Sequence, residues 1–380
     1  MNQSNPIPII GILGGGQLGR MFIQNAIRYD ATVFILDPEA NAPCAQLASR
    51  FVQGDFNDFQ TVLDFGRSVG ILTVEIEHVN ASAVLQLESE GIRVYPQSHV
   101  LSLIQHKGKQ KDFYAMHNIP TSPYVFVENR AEISDLDESW FPCFQKLFTS
   151  GYDGKGVKRL NSKADIEEAF DSPSLLEKLV DIKMEIAVMV SGHADKSFKA
   201  FPAVDMVFHP EANLVEFLSA PSELPVHVTS QAEEMAIDIA QKLGIQGLLA
   251  IEFFLDINNQ LIVNEMAPRP HNSGHHTIEG NVVSQFDQHF RSIVGWAPGE
   301  TSTVKPAVML NVLGEPGYSG DVKYVGLEEI SAMPGVSVHL YGKKTTKPYR
   351  KMGHITVTAE STAEAMKIAH KVRDVIKVIA

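Results

Sequence analysis

The chain opens with short apolar runs separated by segments of helical period. Residues 8–13, 32–37, 71–75 and 93–95 read as strands. Residues 17–28 and 59–68 read as helices, and Asn80 is placed to cap another. Strands alternating with helices of roughly 10–15 residues predict a parallel sheet covered by helices. A lysine-rich helix over 98–116 leads out of this unit. From Pro120 the pattern becomes α+β, with strands at 141–147 and 175–177, a glycine-rich loop at 149–157 and a helix at 163–170. The remainder is strand-rich: 184–190, 199–207, 215–219, 248–255 and 261–265. One amphipathic helix, 230–243, stops at Gly244 as a glycine C-cap would stop it, and a helix over 363–376 closes the chain. The predicted class is mixed α/β and α+β, in three domains spanning 1–103, 104–183 and 184–380.

A length of 380 residues exceeds one ordinary core and agrees with that division. Hydrophobic residues at 44% and charged residues at 20% are ordinary for a globular protein. The net charge of −13 disfavours a nucleic-acid or anionic-membrane surface, since either partner would be repelled. No segment reaches the ~20 apolar residues of a membrane helix. The start, MNQSNPIPII, lacks the basic-then-apolar pattern of a secretory signal, so the expected location is the cytoplasm. The two cysteines, Cys44 and Cys143, have no CxxC partner and read as reduced thiols.

Three segments carry chemistry. Gly14-Gly15-Gly16-Gln17-Leu18-Gly19 follows a strand, opens a helix and precedes Asp37 at the end of the next strand. That is the setting of a dinucleotide fingerprint, although bare N–H groups at a helix start would equally accept a nucleotide or sugar phosphate. Glu252 and Glu265 lie in apolar runs on either side of an Asp256-Ile257-Asn258-Asn259 turn. On a hairpin they would repel unless they shared a cation, and hard oxygen ligands suit magnesium; the competing reading is an edge hairpin with both carboxylates in solvent. The run Met266-Ala267-Pro268-Arg269-Pro270-His271-Asn272-Ser273-Gly274-His275-His276-Thr277 follows directly, rich in groups that bind oxyanions. Its histidine spacing matches no familiar zinc pattern. Finally, Ser150-Gly151-Tyr152-Asp153-Gly154-Lys155-Gly156, after Lys146, has the composition of a flap able to close over phosphates, or of an ordinary surface hairpin.

Together, GILGGGQLGRM, GYDGKG, AIEFF, VNEMAPRPHNSGHHT and the tail YGKKTTKPYRKMGH resemble the ATP-grasp superfamily. Within it they resemble the 5-(carboxyamino)imidazole ribonucleotide synthases of purine biosynthesis, over nearly the whole chain. The resemblance implies an ATP-grasp fold with a Rossmann-like N-terminal domain, a small α+β lid and a larger strand-rich C-terminal domain. It implies ATP as co-substrate, Mg2+ (or Mn2+) as cofactor, bicarbonate and 5-aminoimidazole ribonucleotide as the other substrates, and a homodimer.

By the same resemblance, Glu252 and Glu265 would hold the metal, with Asn264 beside them. Lys107, Lys146, Gly151, Gly154, Gly156, Glu177, Lys178, Val180, Glu185 and Asp205 would bind ATP. Tyr152, Asp153, Lys155 and Arg269 would be catalytic, Asp153 orienting or deprotonating the amine and Arg269 gripping bicarbonate or carboxyphosphate. Gly16, Gln17, Leu18, Glu75, His271, Asn272, Ser273, His275, Lys343 and Arg350 would hold the ribonucleotide, the last two at its 5′-phosphate. Leu147 and Phe148 stand where such proteins often carry basic residues, Lys107 where arginine is common, and Asp205 in place of a glutamate. Two rivals remain at this point: a dinucleotide-dependent oxidoreductase resting on the glycine turn and Asp37, and a sister ligase activating formate or another carboxylate.

Overall fold

The computed structural model describes residues 7–149, 156–209 and 214–380. Contacts divide the chain into two compact units. The larger comprises Met1–Ser98, Ile186–Ala250 and Ala267–Ala380; the smaller comprises His99–Glu185 and Ile251–Met266.

The larger unit begins with the expected parallel sheet. Its strands are β1 (Ile10–Leu13), β2 (Val33–Asp37), β3 (Arg50–Gln53), β4 (Ile71–Val74) and β5 (Arg93–Tyr95), in the order β3-β2-β1-β4-β5. Every residue of β1 and β4 is buried, which is why these strands read as continuous apolar runs rather than alternating ones. The helices are α1 (Gln17–Ala26), α2 (Phe59–Gly66) and α3 (Ala81–Ser89). Asp58 caps α2 through the Thr61 N–H, and Asn80 caps α3 through the Ala83 N–H as expected. Edge strand β3 was missed in the sequence, because its burial shows no apolar face to set a period.

The predicted single helix over 98–116 is two: α4 (Ser98–Ile104) and α5 (Lys107–Met116). His106 breaks it, turning extended and accepting the Lys109 N–H on its Nδ1 at 3.2 Å. The smaller unit then forms a four-stranded sheet from β6 (Tyr124–Val127), β7 (Cys143–Leu147), β8 (Val157–Leu160) and β9 (Ser174–Lys178), ordered β6-β9-β7-β8. Neighbouring strands run antiparallel. Its core joins Val127, Cys143, Leu160 and Leu176 to Ile133 of α6 (Arg130–Asp135) and to Ile166. Ile166 sits in a 3-10 turn, Lys163–Glu168, where a helix was expected. Strand alternation directs Lys146, Leu175 and Glu177 to the opposite face.

A nine-stranded sheet follows. It uses β10 (Ile182–Gly192), β11 (Phe198–Ala200), β12 (Val204–Phe208), β13 (Val215–Ala220), β14 (Gly247–Asp256), β15 (Leu261–Ala267) and β16 (Ala307–Leu313). Lys351–Thr358 pairs antiparallel with β16, and Val336–Leu340 lies beyond it. The single strand expected over 199–207 is divided into β11 and β12. Helix α7 (Val226–Leu243) ends at Gly244 with φ 61°, the left-handed cap read from the sequence. After α8 (Thr277–Gly280) comes α9 (Gln285–Val294), capped by Ser284 and Gly295. Its Phe286, Phe290 and Ile293 join α1 and β1 in one core.

Candidate active site

In the smaller unit, Lys107, Gln110, Lys111 and Tyr114 recur at the spacing of one helical face along α5. With Lys146, Leu175, Glu177, Asn264 and Glu265 they line one open cleft. The Glu177 carboxylate is buried and pairs with the ammonium groups of Lys111, at 2.5 Å, and Lys146. Burial by itself would raise Glu177, but the two lysines outweigh it and hold the carboxyl low. Lys111 also donates to Thr121 Oγ1 at 2.5 Å, and burial lowers it against the pull of Glu177. Lys107 pairs with Glu265 at 3.5 Å, and the Glu265 side chain is 58% exposed. Of the residues expected at the nucleotide, Lys178 places its ammonium 4.9 Å from the Trp140 ring centre, and Val180 is half-buried. Glu185 is half-buried too, and desolvation pushes its carboxyl up to about 7.

The turn between β14 and β15 forms as expected. The Asp256 N–H donates to the Gln260 carbonyl and the Asn259 N–H to the Asp256 carbonyl, with Asn259 at φ 59°. Along β15 the alternation slips at two adjacent residues. Asn264 is half-buried and Glu265 exposed, while Met266 and Ala267 are both buried. Asn264 and Glu265 both line the cleft. Glu252, on β14, is half-buried and is not among the described residues that line it. Among the described residues no group of three or more His, Cys, Asp or Glu could hold a metal by itself. An exposed carboxylate beside an amide oxygen, facing a cationic cleft, nevertheless fits a hard cation completing its shell with phosphate and water oxygens.

In the larger unit the glycine turn is already occupied by the protein's own carboxylates. Asp37 accepts the Gly15 N–H at 2.7 Å, and Glu75 accepts those of Gly16 and Leu18 at 3.1 Å each. A Cβ at Gly14 or Gly16 would strike Glu75, so these glycines admit a side chain from β4's end rather than a pyrophosphate. Burial pushes both carboxyls up, against the N–H bonds that stabilise their ionised forms. Asp37 and Glu75 thus hold the N–H groups on which a dinucleotide reading depended.

The oxyanion loop is built from inside. Arg269 Nε pairs with Glu77, and fewer than one-fifth of either side chain is exposed. Burial alone would raise Glu77, but Arg269 outweighs it and holds the carboxyl at about 2. Burial, with the Arg269 and Lys351 charges, lowers His271 to about 3. His275 is likewise driven well down, chiefly by burial, so both rings are neutral at physiological pH. His271 Nδ1 meets Ser273 Oγ at 3.0 Å. Asn272 is half-buried, whereas Ser273 and His275 are interior. Gln285, at the start of α9, clamps this loop. Its side chain accepts the His271 N–H, donates to the His271 carbonyl, both at 2.8 Å, and meets His275 Nδ1 at 2.9 Å.

In the tail, Lys343 donates to the Lys351 carbonyl at 2.7 Å, and Arg350 Nη1 bonds to the carbonyl and hydroxyl of Thr345. Gly342, at φ 76°, leaves room for Arg20, whose Nη1 would sit 3.0 Å from a Cβ there. Asp205 accepts from Ser222 Oγ at 2.5 Å and the Glu223 N–H at 3.0 Å. Gly156 is described, its carbonyl accepting the Leu147 N–H. Gly151, Tyr152, Asp153, Gly154 and Lys155 lie outside the described residues. Sequence reading missed Lys111, Gln285 and Arg20. The first sits in a lysine-rich stretch that reads as solvated, and the other two carry no signal beyond the company of motif residues.

Comparisons with known proteins agree along the chain. Residues 7–105 match the ribonucleotide synthetase preATP-grasp domain, 112–286 the ATP-grasp domain, and 307–368 the phosphoribosylaminoimidazole carboxylase C-terminal domain. An N5-carboxyaminoimidazole ribonucleotide synthase of Staphylococcus aureus is 33% identical over 92% of each chain. A chloroplastic phosphoribosylaminoimidazole carboxylase of Vigna aconitifolia is 34% identical over 93% of this chain, which spans only 64% of that longer protein. The crystal structure of an N5-carboxyaminoimidazole synthase from Aspergillus clavatus, in complex with ADP and 5-aminoimidazole ribonucleotide, superposes with a TM-score of 0.88. It is 31% identical and covers 97% of this chain and 98% of that one.

Proposed function

Because the chain belongs to the N5-carboxyaminoimidazole ribonucleotide synthase family of ATP-grasp enzymes, we propose that it carboxylates 5-aminoimidazole ribonucleotide with bicarbonate at the expense of ATP. ADP and phosphate would leave, and carboxyphosphate would be the activated intermediate. The observation that carries this reading is the cleft of Lys107, Lys111 and Lys146 beside Asn264 and Glu265. Two ammonium groups at its mouth, those of Lys107 and Lys146, suit a polyphosphate.

In this reading Lys107 and Lys146 bind phosphates, while Lys178, Val180 and Glu185 face the nucleoside. Glu265, with Asn264 beside it and Glu252 supplied from β14, would hold Mg2+, which when bound neutralises phosphate charge. Arg269, fixed by Glu77, would grip bicarbonate or carboxyphosphate. The neutral His271 can accept or donate one hydrogen bond without bringing a charge to the site. Glu75, held by the glycine turn, offers oxygen acceptors to the ribose hydroxyls beside Gln17. Lys343 and Arg350, with Arg20 near Gly342, supply cations for the 5′-phosphate. Asp153, with Tyr152 and Lys155, orients or deprotonates the amine. The same proposal includes a homodimer and a cytoplasmic location, both implied by the family; no helix among the described residues is long and apolar enough to cross a membrane.

The test is ADP release by purified protein with ATP, magnesium and bicarbonate, with and without the ribonucleotide. Release that depends on both bicarbonate and ribonucleotide is expected. Release supported by formate or another carboxylate, with bicarbonate excluded, would move the chain to a sister ligase.

A further inference from the structure

Lys111 stands apart from the other cations of the nucleotide cleft. The residue is 3% exposed, and its ammonium is held by Glu177 Oε1 and by Thr121 Oγ1, each at 2.5 Å. Glu177 is 6% exposed, and its other oxygen meets Lys146. Lys107 and Glu265 form a second, more exposed pair. The cleft thus holds three lysines against two carboxylates.

A triphosphate entering this cleft draws Lys107 and Lys146 towards its own oxygens. Glu265 is exposed enough to follow a cation. Glu177 is not, and once Lys146 turns away its charge faces the phosphates from the interior. An uncompensated buried carboxylate beside a polyanion is strongly unfavourable. We propose that Lys111 is a positioning residue: it never touches the nucleotide, but keeps Glu177 neutralised so that Lys146 can exchange carboxylate for phosphate. The proposal rests on the nucleotide-binding reading above and adds a division of labour among its lysines.

The experiment is ATP titration by calorimetry on the full chain, with steady-state kinetics, for wild type, Lys111→Met, Glu177→Gln and the double variant. Lys111→Met should weaken ATP on the order of tenfold to a hundredfold, the range for one unscreened charge at close approach. The loss should appear in the ATP KM, with kcat little changed. Adding Glu177→Gln removes the stranded carboxylate, so the double variant should bind ATP more tightly than Lys111→Met and as well as Glu177→Gln alone. Were Lys111 a direct phosphate ligand, the double variant would stay as weak as Lys111→Met, overturning the proposal. Wild-type affinity in Lys111→Met overturns it as well. Should Lys111→Met fail to fold, the double variant, which removes both members of the most buried pair and leaves Lys146 to the phosphates, still decides between the two roles when set against Glu177→Gln alone. A wild-type chain that binds no ATP at all would instead bring down the nucleotide reading itself.

Discussion

Glu77→Gln tests whether charge, rather than shape, holds Arg269 in place. The substitution keeps the size and one hydrogen-bonding oxygen but removes the negative charge. A carboxyl held at about 2 rather than at the ordinary 4.5 corresponds to about 3 kcal/mol of stabilisation. With less than one-fifth of either side chain exposed, solvent screens little of it, although the desolvated arginine left behind reorganises; a loss of about 1–3 kcal/mol is expected. The sign follows from the depressed pKa. The contribution is fully present above pH 4.5 and is lost as pH falls towards 2. The variant should therefore show a lower urea midpoint at pH 7 and a shallower loss of stability on acidification than wild type. Bicarbonate-dependent ADP release should fall with it, because Arg269 would be free to leave its position. An unchanged midpoint at pH 7, an unchanged acid slope and an unaltered bicarbonate KM would together refute the argument.

Other substitutions probe separate parts of the site. Glu265→Gln should abolish magnesium-dependent ADP release while leaving the unfolding free energy from urea titration within about 0.5 kcal/mol of wild type, as for other exposed positions; retained turnover would remove Glu265 from metal binding. Glu185 has a raised carboxyl, so ionising it costs stability as pH rises from its unfolded range through about 7. Glu185→Gln should then melt higher than wild type above pH 7 and equal to it below pH 4, and parallel curves across that range would show that burial does not control this group. Arg350→Ala should raise the ribonucleotide KM with little change in kcat, and an unchanged KM would clear Arg350 of phosphate binding.

The sequence by itself determined the order of the parts. Apolar period, glycine stops and cap residues placed the parallel sheet, α3 with its Asn80 cap, α7 with Gly244, and the β14–β15 hairpin. These signals are local, and a few neighbouring residues decide them. Motif company also brought Lys146, Asn264, Glu265 and Arg269 to notice. Only the tertiary structure decided what each charge is paired with. Asp37 and Glu75 take the N–H groups of a turn 22 and 59 residues away, changing a turn that suits a dinucleotide into a seat for carboxylates. Lys111 looks like one more solvated lysine until packing of α5 on the small sheet buries it against Glu177. Gln285 gains its role only when α9 returns to the oxyanion loop. Burial and ion pairing are set by contacts between distant segments, and the energy of a charge depends on those contacts rather than on its neighbours in the chain.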